Sequence, residues 1–273
     1  MLARQRQQRI LEVVRSDGGA RVSALIELLG VSDMTVRRDL EALASRGLVA
    51  RVHGGATEVS PNSTYEPGFT VKSGLQSAEK AAIARAAAAL VEPGSAVALS
   101  AGTTTFALAR ELRAVPELTV VTNSVPVAQL LHETGRADLT IVLTGGVRTP
   151  SDALVGPVSV AALRTLHTDW LFLGVHGLDA QAGLTTPNLA EAETNRALVA
   201  CARRRVVLAD STKWNVVGLS TIATLDEVDV LITDDGLDGA VCRLLTDEVG
   251  RLVVTTADEA ADEAAAGRGG GQR

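Results

Sequence analysis

Seven short runs of apolar, β-favouring residues recur between residues 95 and 256, and they constrain the fold more than any other feature of the chain. Most are separated by stretches in which apolar residues recur every three or four positions, as in a helix. These helical stretches cover residues 79–91, 104–112, 125–134 and 191–201. Apolar strands that alternate with helices predict an α/β fold with a mostly parallel sheet covered on both faces. The seven runs are SAVALS (95–100), LTVVTN (118–123), LTIVLTGG (139–146), WLFLGVHG (170–177), RVVLAD (205–210), VDVLIT (228–233) and RLVVTT (251–256).

The first 58 residues show another pattern, that of a small helical domain ending in a β-turn. Helical spacing predicts one helix over residues 4–16 and a second over 22–29. Gly30 follows the second helix at the position where a left-handed C-terminal cap is expected, and Ser32 can cap a third helix. Two short strands, 48–52 and 56–59, are then expected around a His-Gly-Gly turn, which makes a wing. The inward-facing residues of the third helix are Val36, Leu40 and Leu43.

Composition and periodicity together predict the domain organisation. We expect a small helical head over residues 1–58, a linker over 59–77, an α/β body over 78–256 and a low-complexity, disordered tail over 257–273. An apolar content of 46% is sufficient for a buried core. The longest apolar run, 86–91, is far shorter than the roughly 20 residues needed to cross a bilayer, and the arginine-containing N-terminus lacks the apolar stretch of a secretory signal. We therefore expect a cytoplasmic protein with no membrane partner.

Charge is divided unevenly between the two segments. Residues 1–57 contain nine Arg and six acidic residues, a formal charge of +3. The rest of the chain holds the other 17 basic and 26 acidic residues, a charge of -9, which gives the whole chain its charge of -6. This division is typical of a polyanion-binding head on an acidic body, although a charge cluster is more often a solvated face.

Several polar residues of the third helix lie off its apolar stripe and are expected at the surface. Threonine can contact a phosphate or a thymine methyl, and arginine can bind guanine or a phosphate. Glycines in the wing allow the backbone to approach a duplex closely. Taken singly, Arg37 and Arg38 are as well explained by a solvated face paired with Glu41, and His53 by an ordinary turn. Their occurrence together with the glycine turn and serine cap favours DNA binding.

The stretch VSDMTVRRDLEALASRGLVARVHGGA, residues 31–56, resembles the N-terminal winged helix-turn-helix of the DeoR-type transcriptional repressors. The family pattern reads VS-x-x-T-(I/V)-RRDL-x-x-L-x-x-x-G-(L/V)-x-R-x-HGGA, and the chain matches nearly all of it without a gap. The resemblance implies binding to double-stranded operator DNA. The residues to which it assigns DNA contacts are Ser32, Thr35, Arg37, Arg38, Arg51, His53 and Gly54.

In the body, LSAGTTTFALAREL (99–112) carries the main chemical signal. A strand ends at Ser100, and a helix opens near Thr103 and Thr104 after Gly102. Backbone N–H groups and hydroxyls at such a helix start form an anion cradle, although the same residues also make an ordinary helix start. Ligands of open α/β sheets lie beyond the carboxyl ends of strands, so the polar loops at other strand ends are expected to join this site. Those loops are 122–124, 144–146, Gly174 with Gly177, and 210–213.

The body also resembles the effector domain of the same family, over roughly residues 66–256. That domain is similar in fold to ribose-5-phosphate isomerase, glucosamine-6-phosphate deaminase and the CoA-transferases, and its inducers are phosphorylated sugars or related metabolites. The family loop usually reads D-x-G-T-T, whereas Ser100 stands here in place of the Asp, which changes the expected sugar-hydroxyl contacts but not the phosphate cradle. The predicted effector-binding residues are Ser100, Gly102, Thr103, Thr104, Asn123, Gly145, Gly146, Asp210 and Lys213.

These observations predict a repressor of a carbohydrate-metabolism operon that a phosphorylated sugar or related metabolite relieves. We expect a homo-oligomer, a dimer or tetramer, because helix-turn-helix readers act in symmetric pairs. No cofactor, metal site or catalytic residue is expected, since neither the cysteines nor the histidines show ligand spacing. One alternative is a phosphosugar isomerase- or transferase-like enzyme with a winged-helix interaction module. A second is a protein-interaction adaptor. The carboxylates weighed as a general base for the enzyme are Asp152, Asp179, Glu191 and Asp210.

Overall fold

The computed structural model describes residues 3–17, 19–45, 48–52, 54–57, 69, 73 and 75–256. The chain divides into two compact units, which we call the head and the body. The predicted tail (257–273) lies outside the described residues, as does nearly all of the predicted linker (59–77). The proposed domain boundaries therefore stay predictions.

The described residues of the head up to Thr57 form three helices and three short strands. Its helices are α1 (Ala3–Asp17), α2 (Val22–Leu29) and α3 (Asp33–Ser45), and its strands are β1 (Gly19–Arg21), β2 (Ala50–Val52) and β3 (Gly55–Thr57). The helices follow the predicted spans because their apolar stripes meet in one core. The core residues are Ile10, Leu11, Val14, Val22, Leu25, Leu29, Val36, Leu40, Leu43, Val49 and Ala56.

The small sheet of the head differs from the prediction. Its strands lie in the order β1-β3-β2 and are antiparallel throughout. Strand β2 begins two residues later than the predicted 48–52, and β3 begins one residue earlier than the predicted 56–59, of which the last two residues lie outside the described part of the chain. Strand β1 was missed altogether, because a three-residue Gly-Ala-Arg strand has no alternation that would reveal it and is defined only by its pairing with β3.

The body is built on a seven-stranded parallel sheet in the order β15-β14-β12-β9-β4-β5-β6. Each of these strands overlaps one of the seven predicted apolar runs, and three of them extend beyond their runs by one to three residues. In chain order the strands of the body are β4 (Ala96–Leu99), β5 (Thr119–Thr122), β6 (Thr140–Leu143), β7 (Val147–Arg148), β8 (Leu154–Val155), β9 (Thr168–Gly174), β10 (Gly177–Asp179), β11 (Gly183–Thr186), β12 (Ala202–Leu208), β13 (Ser220–Ala223), β14 (Val230–Asp234) and β15 (Leu252–Thr255).

Helices cover both faces of this sheet, as predicted. The helices of the body are α4 (Ser77–Ala88), α5 (Thr103–Leu112), α6 (Val125–His132), α7 (Pro157–Leu163), α8 (Leu189–Cys201) and α9 (Gly239–Glu248). Buried residues of α4, α5 and α6 pack on one face with Val97 and Phe172. Those of α7, α8 and α9 pack on the other face with Ala98 and Leu171. Successive strand residues point to opposite faces, so the uniformly apolar runs serve two cores at once.

Several elements of the body were not predicted. These are helices α7 and α9, the hairpin formed by β7 and β8, and a three-stranded sheet in the order β10-β11-β13. Within the described residues, no helix combines the length and apolarity that a membrane span requires.

Candidate DNA-binding surface and effector-binding loops

The turn between α2 and α3 has the geometry that its sequence predicts. Gly30 adopts a left-handed conformation with φ 63°, and its N–H donates to the Ile26 carbonyl at 2.9 Å. Ser32 caps α3, because its Oγ accepts a hydrogen bond from the Thr35 N–H at 3.3 Å. The Ser32 and Thr35 hydroxyls also lie 2.9 Å apart. Thr35 is partly buried, whereas the sequence predicted that it would be exposed.

Arg37 and Arg38 lie on the solvent side of α3, away from the buried Val36 and Leu40. The Arg37 Nε donates to the Asp33 Oδ1 at 2.5 Å, one helical turn earlier, and this hydrogen bond raises the pKa of Arg37. The bond uses Nε and not the two terminal nitrogens. Arg38 is exposed and makes no ion pair in the described part of the chain. The surface of α3 thus carries two permanent positive charges.

A buried ion pair, which the sequence did not reveal, anchors α3 to α1. Asp39 is 4% exposed and accepts from the Arg6 Nε at 2.7 Å and from the Gln7 amide at 3.2 Å. Asp39 directly follows the arginine pair, so its attachment fixes the rotation of α3 about its own axis. The sequence position of Asp39 could have indicated this pair, because Asp39 precedes Leu40 at the border of the apolar stripe, where a buried carboxylate requires a partner.

The wing depends on two adjacent glycines with different roles. Gly54 has φ 81° and is exposed, and its carbonyl accepts from the Val22 N–H at 2.8 Å. Gly55 is buried, and a Cβ there would lie 2.3 Å from the Ala20 carbonyl oxygen in β1. Close packing between strands therefore requires Gly55. His53 and the side chain of Arg51 lie outside the described residues, so their predicted contacts with DNA stay predictions.

In the body, the cradle loop (residues 100–104) leads from the end of β4 into α5. Gly102 occupies the N-cap position of α5 and, because it has no side chain, cannot cap the N–H groups of the first turn. The first N–H groups of a helix lack partners within it, so those of Thr103 and Thr104 are presented at the carboxyl end of β4. The helix dipole and these donors stabilise an anion at such a position.

Two buried polar side chains hold the cradle loop in place. The Ser100 Oγ accepts from the Gly174 N–H at 3.0 Å and so joins the ends of β4 and β9. The Asn123 Oδ1 accepts from the Ala101 N–H at 2.9 Å, while its Nδ2 donates to the Leu154 carbonyl at 3.2 Å. Ser100 and Asn123 thus position the loop. The prediction of direct effector contact did not include this role.

The third loop at this edge contains Gly145 and Gly146, with φ 75° and 119°. A Cβ on Gly146 would lie 2.5 Å from the Val155 carbonyl oxygen, so the loop packs directly on the hairpin of β7 and β8. Leu154 of that hairpin also donates its N–H to the Asn123 carbonyl at 2.7 Å. The loops after β4, β5 and β6 therefore form one connected group with the hairpin.

Asp210 and Lys213 follow β12 at the same carboxyl edge. Two strand spacings separate β12 from β4, which places them about 10 Å along the sheet from the cradle loop. Asp210 is buried, with 2% of its surface exposed. It caps a 3-10 helix, Ser211–Lys213, by accepting from the Thr212 N–H at 3.2 Å and from the Thr212 hydroxyl. Lys213 is half-buried.

The four carboxylates considered as a catalytic base all accept hydrogen bonds from their own surroundings. Asp152 pairs with Arg148, and Asp179 accepts from two backbone N–H groups of its turn. Glu191 is buried and accepts from the Thr149 hydroxyl at 2.7 Å and from the Ser151 hydroxyl. This cluster fastens the tip of the β7–β8 hairpin to α8 and was not anticipated.

A winged helix-turn-helix head with exposed arginines, followed by an α/β body with polar loops at one sheet edge, defines the class of DNA-binding transcriptional regulators with a sensor domain. Residues 6–62 match the DeoR-like helix-turn-helix domain, and residues 75–235 match the DeoR C terminal sensor domain. The chain therefore belongs to the DeoR family of transcriptional regulators.

Relatives match over nearly their full length. The uncharacterized HTH-type transcriptional regulator YgbI of Escherichia coli K12 is 38% identical, with 93% of this chain and 98% of that protein covered. The HTH-type transcriptional regulator GlpR of Haloferax volcanii is 39% identical, with coverage of 87% and 92%. The glycerol-3-phosphate regulon repressor of Haemophilus influenzae is 30% identical, with coverage of 91% and 96%. These relatives are named as regulators or repressors, not as enzymes.

Among solved structures, ribose 5-phosphate isomerase A of Methanocaldococcus jannaschii has a TM-score of 0.37 and 18% identity, and the match covers 50% of this chain and 53% of that one.

Proposed function

We propose that the protein is a cytoplasmic repressor of a carbohydrate-metabolism operon, binds operator DNA as a homo-oligomer, and is released by a phosphorylated sugar or related metabolite. The observation that carries this proposal is the outward face of α3, where Arg37 and Arg38 lie opposite the buried stripe. The names of the relatives support the choice of operon, since one is a glycerol-3-phosphate regulon repressor. DNA contacts fall to Ser32, Thr35, Arg37, Arg38, Arg51, His53 and Gly54.

The DNA-binding part is tested by replacing both arginines of α3. Arg37→Ala with Arg38→Ala should weaken operator binding at least about tenfold, since each arginine contact to a base or phosphate contributes roughly 1–3 kcal/mol. The matched control is Arg203→Ala with Arg204→Ala, an exposed arginine pair of the body that removes the same charge. Gel shifts at fixed moderate salt measure both. Equal operator affinity of the two double variants would contradict the proposal.

The effector part rests on the cradle loop. A phosphate bound by the N–H groups of Thr103 and Thr104 would leave the sugar near Gly145 and Gly146, with the remaining predicted contacts in the loop of Asp210 and Lys213. A panel of sugar phosphates, the matching free sugars and inorganic phosphate should be compared by thermal shift. We expect a phosphorylated member to raise the melting temperature of the full chain, because a ligand that binds the folded state stabilises it.

Lys213→Ala should reduce this stabilisation, because it removes a positive charge from the loop group. The control Arg243→Ala removes a positive charge from the exposed surface of α9 and should leave the ligand response unchanged. If free sugars stabilise the protein as well as their phosphates do, the phosphate-binding part of the proposal is wrong.

A further inference from the structure

Met34 is an unusual residue on the surface of the head. Its exposed fraction is 79%, the largest of any large apolar side chain in the described residues. It is the second residue of α3, next to the cap formed by Ser32. An exposed methionine at this point contributes nothing to the core of the head, so its side chain is available to a partner.

The periodicity of α3 places Met34 on its outward face. Met34 precedes Arg38 by four residues, and such residues lie one above the other on a helix. At 100° per residue, both lie about 160° around the helix from the buried Val36, and both point away from the side of the buried Leu40. In a helix-turn-helix, the N-terminal residues of the recognition helix meet base edges in the major groove. Met34 therefore stands where the helix comes nearest to the bases.

The chemistry of this face is divided between charge and apolar surface. Arg37 and Arg38 supply hydrogen-bond donors suited to phosphate or guanine, whereas Met34 has neither a charge nor a hydrogen-bond donor. The apolar group that a base edge presents in the major groove is the C5-methyl of thymine. An unbranched thioether side chain adapts readily to such a contact.

We propose that Met34 is a specificity-determining residue that contacts the C5-methyl of one thymine in each operator half-site. This inference rests on the proposed function. It adds a base-reading role to a residue that the family resemblance leaves unassigned. The positively charged residues around Met34 favour DNA as the occupant over a second protein surface, because Arg37 and Arg38 flank it on the same side of the helix.

The test removes the methyl groups from the DNA one at a time. Operator fragments are selected from sheared genomic DNA with the full-length protein, and duplexes are then made with each thymine in turn replaced by uracil. Loss of one contacted methyl should weaken binding by the wild-type protein about fourfold, equivalent to about 0.8 kcal/mol. Met34→Ala should bind the thymine and uracil duplexes equally at that position, while Met34→Leu should keep the preference.

A salt series separates this role from phosphate binding. Met34→Ala should leave the dependence of affinity on salt unchanged, because Met34 neutralises no phosphate. If Arg38 contacts a phosphate, Arg38→Ala should instead reduce the slope of log affinity against log salt concentration by about 1. Leu244→Ala, a truncation of an exposed leucine in the body, is the control and should keep the thymine preference.

The outcomes distinguish the inference from the proposed function. Operator binding that is insensitive to uracil at every position, or a preference retained by Met34→Ala, would overturn the role of Met34 alone. Failure of the wild-type protein to retain any duplex at low salt would overturn the repressor function and this role together.

Discussion

Two arginine–aspartate pairs in the described residues of the head have similar lengths and different surroundings. Arg37 and Asp33 lie 2.5 Å apart with about half of each side chain exposed. Arg6 and Asp39 lie 2.7 Å apart, but their side chains are only 15% and 5% exposed. Water and ions screen the first pair, whereas the second lies in a poorly solvated site where an unpaired charge is costly. Burial, and not distance, therefore decides which pair stabilises the head.

Asp39→Asn should lower the free energy of opening of α1 and α3 by about 2–3 kcal/mol, because it removes the charge of the buried carboxylate with which Arg6 pairs. Native-state hydrogen exchange of the full chain measures this opening without separating the units. Asp33→Asn removes the same type of carboxylate from the exposed pair and should leave amide protection in these helices unchanged. A larger effect of Asp33→Asn would reverse the argument.

The two pairs also show which residues the sequence reveals. The exposure of Arg37 and Arg38 follows from the helical period of Val36, Leu40 and Leu43. The partner of Asp39 does not, because Arg6 is 33 residues away and is brought there only by packing of α1 on α3. The loop-holding roles of Ser100 and Asn123 are hidden in the same way, since their partners Gly174 and Leu154 lie on other strands.

At the scale of elements, the wing tests the difference between backbone strain and strand packing. In Gly55→Ala the added Cβ collides with the Ala20 carbonyl, so β1 and β3 must separate. In Gly54→Ala no atom lies within 4 Å, and the cost is the left-handed conformation, about 1–2 kcal/mol. We expect hydrogen exchange in the three-stranded sheet of the head to increase much more for Gly55→Ala than for Gly54→Ala. Equal exchange in the two variants would show that strand packing is not the constraint.

The loops of the body offer a second test at this scale. Asn123→Ala removes both hydrogen bonds of its amide and leaves the Ala101 N–H and the Leu154 carbonyl without that partner. We expect a loss of roughly 1–3 kcal/mol of stability and a weaker thermal response to sugar phosphate, because the cradle loop is no longer tied to the hairpin. Gln129→Ala, which removes an exposed amide bonded to Glu133, should change neither measurement. An unchanged ligand response in Asn123→Ala would show that effector binding does not depend on the link between the cradle loop and the hairpin.

The elements that the sequence predicted correctly are those whose burial is encoded locally. Strands of the parallel sheet are covered on both faces, so each is a continuous apolar run, and all seven were recognised. The missed strands β7, β8 and β10 have two or three residues, too few to show an alternating apolar pattern, and they are defined by their pairing in hairpins. Helix α7 begins at Pro157 and has seven residues, fewer than two full apolar periods require.

At the scale of the whole molecule, function requires that two separate units affect each other. The basic head carries the residues proposed to contact DNA, and the acidic body carries the loops proposed to bind the effector. A ligand shifts a conformational equilibrium only by the difference in its affinity for the two states. Release of operator DNA therefore demands that the metabolite bind the DNA-free protein more tightly than the DNA-bound protein.

This requirement gives a quantitative prediction for the full chain. If saturating sugar phosphate weakens operator binding tenfold, saturating operator must weaken sugar-phosphate binding tenfold, which corresponds to a coupling free energy of about 1.4 kcal/mol. Calorimetric titration of the metabolite, with and without operator duplex, measures the second factor, and fluorescence anisotropy of labelled operator measures the first. A duplex of scrambled sequence is the control. Sugar-phosphate affinity that ignores the operator would mean that derepression does not proceed through this protein's two binding sites.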